Sequence, residues 1–116
     1  MQKRRFLSLV CLFLWTWTLS AHALLESVSP KAGSTIQGPE VPLLLHFNTK
    51  IDNARSRLEL LTPDKKTVVL VIEPETKPGD VSSRAHDLKP GSYTLRWQVL
   101  AIDGHITRGD VPFVVK

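Results

Sequence analysis

Sulfur-containing residues are scarce in this chain of 116 residues, which has one cysteine and one methionine. Cys11 and Met1 both lie within the first 20 residues, so the rest of the chain can form no disulfide, thiolate nucleophile or thiolate metal site. Zinc sites built from cysteine pairs are therefore excluded. The sequence also lacks a Gly-rich phosphate loop and a nucleophile elbow, so it gives no support to nucleotide binding or serine-hydrolase chemistry.

The first 21 residues have the layout of a secretory signal peptide. Basic residues at positions 3–5 precede an uncharged apolar stretch over 6–19, and small residues follow at positions 20, 21 and 23. The stretch is shorter than the roughly 20 residues that a membrane-spanning helix needs. We therefore predict a signal peptide over residues 1–21, a mature domain over 22–116, and no stable membrane insertion once the signal is removed.

Removing this segment changes the charge of the protein. The whole chain has 15 basic and 11 acidic residues, a formal charge of +4. Loss of 21 residues from 116 leaves 95, and loss of three basic residues leaves 12 against 11, a net charge of +1. No basic cluster with interleaved aromatics remains, which argues against nucleic acid as a partner. The domain is expected to be exported from the cytoplasm, and an exported domain would rarely meet DNA.

The pattern of the mature chain predicts an all-β domain. Short runs of β-branched and apolar residues recur between turn signals, and no window shows helical spacing over three turns. We predict strands over 24–28, 41–47, 57–61, 67–72, 81–87, 93–100 and 109–115. About seven strands in about 95 residues indicate an immunoglobulin-like Greek-key β-sandwich, with a small barrel as the competing architecture. Without a disulfide, the core must depend on Phe47, Tyr93, Trp97, Phe113 and the aliphatic residues.

The sequence Ala-Ile-Asp-Gly-His-Ile, at 101–106, lies between the last two predicted strands. Asp-Gly between apolar runs predicts a tight hairpin turn, because glycine accepts the positive φ that such a turn needs. A turn explains Asp103 and Gly104 but does not account for His105. A carboxylate and an imidazole two residues apart on a bent backbone can converge on one point, and divalent copper accepts this pair of ligands.

His22 adds ligands only if signal removal leaves it at the amino terminus. A cut after Ala21 makes His22 the first residue, with an α-amino and an imidazole nitrogen. Together with Asp103 and His105 it would form the tetragonal set of nitrogen and oxygen donors that Cu(II) favours. However, Ala21-His22-Ala23 is itself an A-x-A cleavage signature, and a cut after Ala23 would discard His22. Both cuts remain open.

The other two histidines of the domain are weaker candidates. His46 lies on a predicted strand, on the same face as Leu44 and opposite the main apolar face, and His86 lies beside a turn. We interpret both as solvated polar residues rather than metal ligands.

The C-terminal half of the chain resembles the CopC copper-resistance family. The specific part is the run Trp-x-Val-x-x-x-Asp-Gly-His at residues 97–105, within a longer match over 88–115. Ser-Pro-Lys-Ala-Gly-Ser at 29–34 and Leu-Leu-Leu-His-Phe-Asn at 43–48 resemble the N-terminal half of that family. The resemblance covers almost all of the mature chain.

This resemblance implies a periplasmic β-sandwich that binds Cu(II), with His22, Asp103 and His105 as the metal ligands. His22 lies eight residues before Pro30, as the terminal histidine does in some members of the family. Other members place that histidine six residues before the proline, where this chain has Leu24. The methionine-rich Cu(I) site of the better-known members is not expected, because the mature chain has no methionine.

The leading hypothesis is a non-enzymatic periplasmic protein that sequesters or delivers Cu(II) in copper resistance and homeostasis. Its partners would be the copper ion and a copper permease or another periplasmic copper protein. One alternative is a copper oxidase-type enzyme, since an N-terminal histidine with a second histidine resembles a histidine brace. The other is a metal-free interaction module that kept the β-sandwich but lost the terminal ligand.

Overall fold

The structure is a computed structural model that describes residues 23–116, and within this range all regular structure is β-strand. The predicted signal peptide and His22 lie outside the described residues. No helix within 23–116 is long and apolar enough to cross a membrane. The strands are β1 (Leu25–Ser29), β2 (Thr35–Ile36), β3 (Val41–Phe47), β4 (Ile51–Leu61), β5 (Thr67–Leu70), β6 (Asp80–Ala85), β7 (Gly91–Ala101) and β8 (Ile106–Val115).

The strands form two sheets that pack as a sandwich. The smaller sheet has the order β1-β3-β6 and the larger has the order β2-β8-β7-β4-β5. Neighbouring strands pair antiparallel except β2, which pairs parallel to β8. The connection from β3 to β4 crosses from one sheet to the other at the end where the β7–β8 hairpin turns. This end of the sandwich carries Asp103 and His105, in the loop between β7 and β8.

The predicted aromatic core is confirmed, and period-two alternation explains it. Buried and exposed residues alternate along β3 and along most of β7, as expected for strands with one face on the core. The Phe47 and Trp97 rings meet edge to face with centroids 5.2 Å apart, and Tyr93 stacks on Phe113 at 5.7 Å. Each large buried side chain contributes about 1.5–3 kcal/mol by leaving water. The contact between Phe47 and Trp97 joins the two sheets without a disulfide, whereas Tyr93 and Phe113 are paired within the larger sheet.

The number and the bounds of the strands differ from the sequence prediction. Eight strands are present rather than about seven, because the two-residue β2 pairs with the end of β8. Strand β4 begins at Ile51 rather than at 57, and its register with β7 shifts between Asp52 and Arg57. Strand β8 begins at Ile106 rather than at 109. In both cases the extra residues are polar or irregular in pattern, so alternation could not reveal them.

Candidate metal centre

The candidate ligands Asp103 and His105 lie in the loop that joins β7 to β8. Gly104 N–H donates to the Ala101 carbonyl at 2.9 Å, and Ala101 N–H donates to the His105 carbonyl at 2.9 Å. Gly104 has a φ of +92°, a conformation that glycine adopts without strain. The predicted hairpin turn is therefore present, and it bends the backbone between the two candidate ligands.

The turn brings the carboxylate of Asp103 against the imidazole of His105. His105 Nδ1 lies 3.0 Å from Asp103 Oδ2, and His105 N–H donates to Asp103 Oδ1 at 3.1 Å. The side chains are 30% and 50% exposed for Asp103 and His105 respectively, so an ion in solution can reach both. A carboxylate beside Nδ1 fixes the orientation of the ring and makes its other nitrogen a better metal ligand.

The electrostatics of the loop favour a negative Asp103. The backbone N–H of His105, and after it the His105 side chain, lower the pKa of the Asp103 carboxyl below its ordinary value of 3.8. Hydrogen bonds to the charged form of a carboxyl group have this effect. Asp103 is therefore a carboxylate at neutral pH, which is the form that binds a cation.

The chain that follows His22 is held at the same end of the sandwich. Leu24 N–H donates to Asn48 Oδ1 at 2.8 Å, and Asn48 N–H donates to the Leu24 carbonyl at 3.1 Å. Two residues along, the Lys50 carbonyl accepts a hydrogen bond from Ile102 N–H at 3.1 Å. The connection at 48–50 thus contacts both the N-terminal segment and the loop that carries Asp103 and His105.

Neither of the other histidines contacts this loop through a hydrogen bond or ion pair that the structure shows. His46 is half-buried on the outer face of the small sheet, where Nδ1 lies 2.5 Å from Asp80 Oδ1 and Nε2 lies 3.4 Å from Glu26 Oε2. His86 is exposed, with Nδ1 2.8 Å from Glu40 Oε1. Both histidines therefore lie beside carboxylates at the protein surface, away from Asp103 and His105.

Residues 23–116 contain no group of three or more histidine, cysteine, aspartate or glutamate side chains placed to hold a metal ion. They bring together two of the three predicted ligands, Asp103 and His105. The third, His22, lies outside the described residues.

A surface depression of about 410 Å³ lies away from the candidate ligands, on the outer face of the five-stranded sheet. Arg57, Arg96 and Arg108 line it, together with acidic and amide side chains of the same strands, and neither Asp103 nor His105 does. This depression therefore does not supply a substrate cleft next to the candidate ligands.

The pattern of residues in the sequence does not assign a role to Asn48 or Lys50. The signal available for Asn48 was its type and its place directly after a strand, since asparagine side chains often bond to nearby backbone groups. Its partner Leu24 could not be found without the pairing of β1 with β3. The Lys50 contact uses a backbone carbonyl, for which residue type carries no signal.

Comparisons with known proteins agree with this architecture. Residues 25–116 match the model of the CopC domain. Protein YobA of Escherichia coli K12 is 28% identical over 116 residues, covering 97% of this chain and 94% of that protein. The crystal structure of CopC from Methylosinus trichosporium OB3b superposes with a TM-score of 0.73 and 28% identity, over 82% of this chain and 94% of that one.

A second solved structure shares the fold at lower identity. PcoC, a methionine-rich copper resistance protein from Escherichia coli, has a TM-score of 0.68 and 24% identity, over 83% of this chain and all of that chain (100%). The predicted immunoglobulin-like β-sandwich is confirmed by these neighbours and by the two sheets described above.

Proposed function

Because this chain belongs to the CopC domain family, we propose that it is a periplasmic protein that binds Cu(II) and sequesters or delivers it. The observation that carries the proposal is the pair of donors on the β7–β8 loop, where the Asp103 carboxylate lies 3.0 Å from the His105 imidazole. Both side chains are accessible to solvent, and Asp103 is ionised at neutral pH. A carboxylate and an imidazole suit a borderline divalent ion such as Cu(II).

In this proposal His22 supplies the remaining nitrogen donors as the first residue of the mature chain. Its α-amino group and imidazole would add two nitrogens to the set formed by Asp103 and His105. The hydrogen bonds between Leu24 and Asn48 support this arrangement, because they hold the chain two residues after His22 at the end that carries the loop. Binding requires neutral nitrogen ligands, so affinity for Cu(II) should fall as the pH drops.

The burial of Ala23 supports a signal cut after Ala21 rather than after Ala23. Ala23 is 1% exposed and belongs to the hydrophobic core. A cut after Ala23 would remove this residue from a packed interior, and interiors of this kind lose stability when buried groups are deleted. We therefore propose that the mature chain begins at His22.

The proposed role is transport or buffering rather than catalysis. The copper ion is the cargo, and a copper permease or another periplasmic copper protein would receive it. The mature chain has no methionine, so we do not assign it a methionine-rich Cu(I) site.

Competition titration of the exported protein with a Cu(II) chelator tests the proposal. His105→Ala should weaken Cu(II) binding by more than about tenfold, since even loss of an outer partner of a metal ligand costs 10–100-fold. His86→Ala is the matched control, because it removes an exposed, ion-paired histidine elsewhere and should leave the affinity unchanged. Equal, weak binding by the wild-type protein and His105→Ala would refute the proposal.

The N-terminal residue of the exported protein separates the proposal from the metal-free interaction module. Mass spectrometry of the mature chain should give His22 as the first residue. A chain that begins at Leu24 would lack one of the three ligands and would favour the metal-free module.

A further inference from the structure

Asn48 takes the place of a backbone group in the pairing of β1 with β3. The ladder between these antiparallel strands runs from Ser29 opposite Leu44 to Leu25 opposite Phe47. The next pair is Leu24 and Asn48, and Asn48 N–H donates to the Leu24 carbonyl as a ladder residue does. The return bond from Leu24 N–H goes to the side-chain oxygen Oδ1, at 2.8 Å, rather than to the Asn48 carbonyl.

This side-chain bond extends the ordered part of the N-terminal segment to the residue next to Ala23. Without Oδ1, the backbone N–H of Leu24 would have no acceptor in the ladder, and the segment would be held at this point by one hydrogen bond instead of two. Leu24 is two residues from the proposed ligand His22, and two residues of extended chain span at most about 7 Å. The carbonyl of Lys50, two residues beyond Asn48, accepts from Ile102 in the loop that carries Asp103.

We propose that Asn48 is a positioning residue of the copper site, one that fixes the N-terminal segment at Leu24, two residues after the proposed ligand His22 and at the end of the sandwich that carries Asp103 and His105. The inference rests on the proposed function. Asn48 itself does not touch the metal, and it acts through the hydrogen bond to Leu24. Ordering a ligand before it binds reduces the entropy lost on binding, which is why a bond remote from the metal affects the affinity.

The test measures the amide hydrogen exchange of Leu24 in the metal-free mature protein. It then measures the Cu(II) affinity of the same protein variants. Amide hydrogen exchange by NMR should show Leu24 protected in the wild-type protein and exchanging about three- to tenfold faster in Asn48→Ala, the range expected for one solvent-exposed hydrogen bond. Asn48→Asp keeps an acceptor oxygen and should restore the protection. Asn53→Ala makes the same chemical change at a residue whose side chain bonds to the Asp80 carbonyl, and it should leave Leu24 protected.

Competition titration with a Cu(II) chelator then tests whether the hydrogen bond between Asn48 and Leu24 affects the affinity for copper. Asn48→Ala should bind Cu(II) about three- to tenfold more weakly than the wild-type protein, with Asn53→Ala unchanged. If the wild-type protein binds Cu(II) and Asn48→Ala binds it equally well, the positioning role is refuted while the proposed function stands. Unchanged exchange of Leu24 in Asn48→Ala would also refute it. If the wild-type protein does not bind Cu(II), both proposals fail.

Discussion

A methyl group at Gly109 would collide with the indole ring of Trp97. The two residues are opposite each other in the β7–β8 ladder, and Gly109 lies beneath the ring. A Cβ built at Gly109 would lie 2.4 Å from Cζ2, 2.6 Å from Cε2 and 2.8 Å from Nε1 of Trp97. Carbon atoms in favourable contact are about 3.5–4.0 Å apart, so the ring or the strand must shift by about 1 Å.

A shift of the Trp97 ring would disturb its packing against the core, and the cost in stability follows from that. Trp97 is 6% exposed and meets Phe47 edge to face on the other side of the core. Overpacking of a filled core costs about 1–3 kcal/mol, while replacing glycine restricts the unfolded chain and returns up to about 1 kcal/mol. We expect Gly109→Ala to lower the free energy of unfolding by about 1–2 kcal/mol. The melting temperature should then fall by about 5–15 °C, as for other domains of this size.

A double-mutant cycle with Trp97→Phe tests this reasoning. The phenyl ring lacks Cζ2, the atom that the added methyl group would meet most closely, so Gly109→Ala should cost less in the Trp97→Phe protein than in the wild-type protein. Urea unfolding of the four proteins gives the coupling free energy, which we expect at about 1 kcal/mol for residues in direct contact. Equal costs in both backgrounds would refute the collision as the cause.

Three further predictions concern single groups. Tyr93→Phe removes the bond from the Tyr93 hydroxyl to the Lys89 carbonyl (2.7 Å) and should lower the free energy of unfolding in urea by about 1 kcal/mol. Gly104→Ala meets no neighbouring atom within 4 Å, so its cost in the same assay should be only the strain of positive φ, about 1–2 kcal/mol. NMR titration of metal-free protein should show the pKa of Asp103 below 3.8, so its carboxylate persists until the pH falls through that lowered value. His105→Ala should leave the Asp103 pKa below its ordinary value, because the backbone N–H of residue 105, the largest single cause of the shift, is retained; a return to the ordinary value would contradict this expectation.

The alternation of apolar and polar residues predicted those strands that have one face on the core and the other in water. Val41–Phe47 and the centre of β7 are of this kind, and both were predicted to within two residues. β2 could not be predicted, because two residues carry no period and its pairing with β8 depends on the chain returning to that edge. The start of β4 was missed because a shift in register interrupts the alternation between Asp52 and Arg57.

The candidate site was predictable where its residues are close in sequence. Asp103 and His105 are two residues apart on a turn, so spacing alone indicated that they meet. The bond between Leu24 and Asn48 joins residues 24 positions apart, and it depends on the register of two strands that the sequence does not specify. The burial of Ala23, which bears on the signal cut, likewise required the packed structure.

Electron paramagnetic resonance of one equivalent of Cu(II) bound to the mature protein tests the central proposal most directly. We expect a tetragonal Cu(II) spectrum with hyperfine coupling to nitrogen ligands, from His22 and His105. His105→Ala should remove one imidazole nitrogen from the spectrum and weaken binding, while His86→Ala should leave both unchanged. A wild-type spectrum that matches His105→Ala, or that shows only aquated Cu(II), would contradict the proposed copper site.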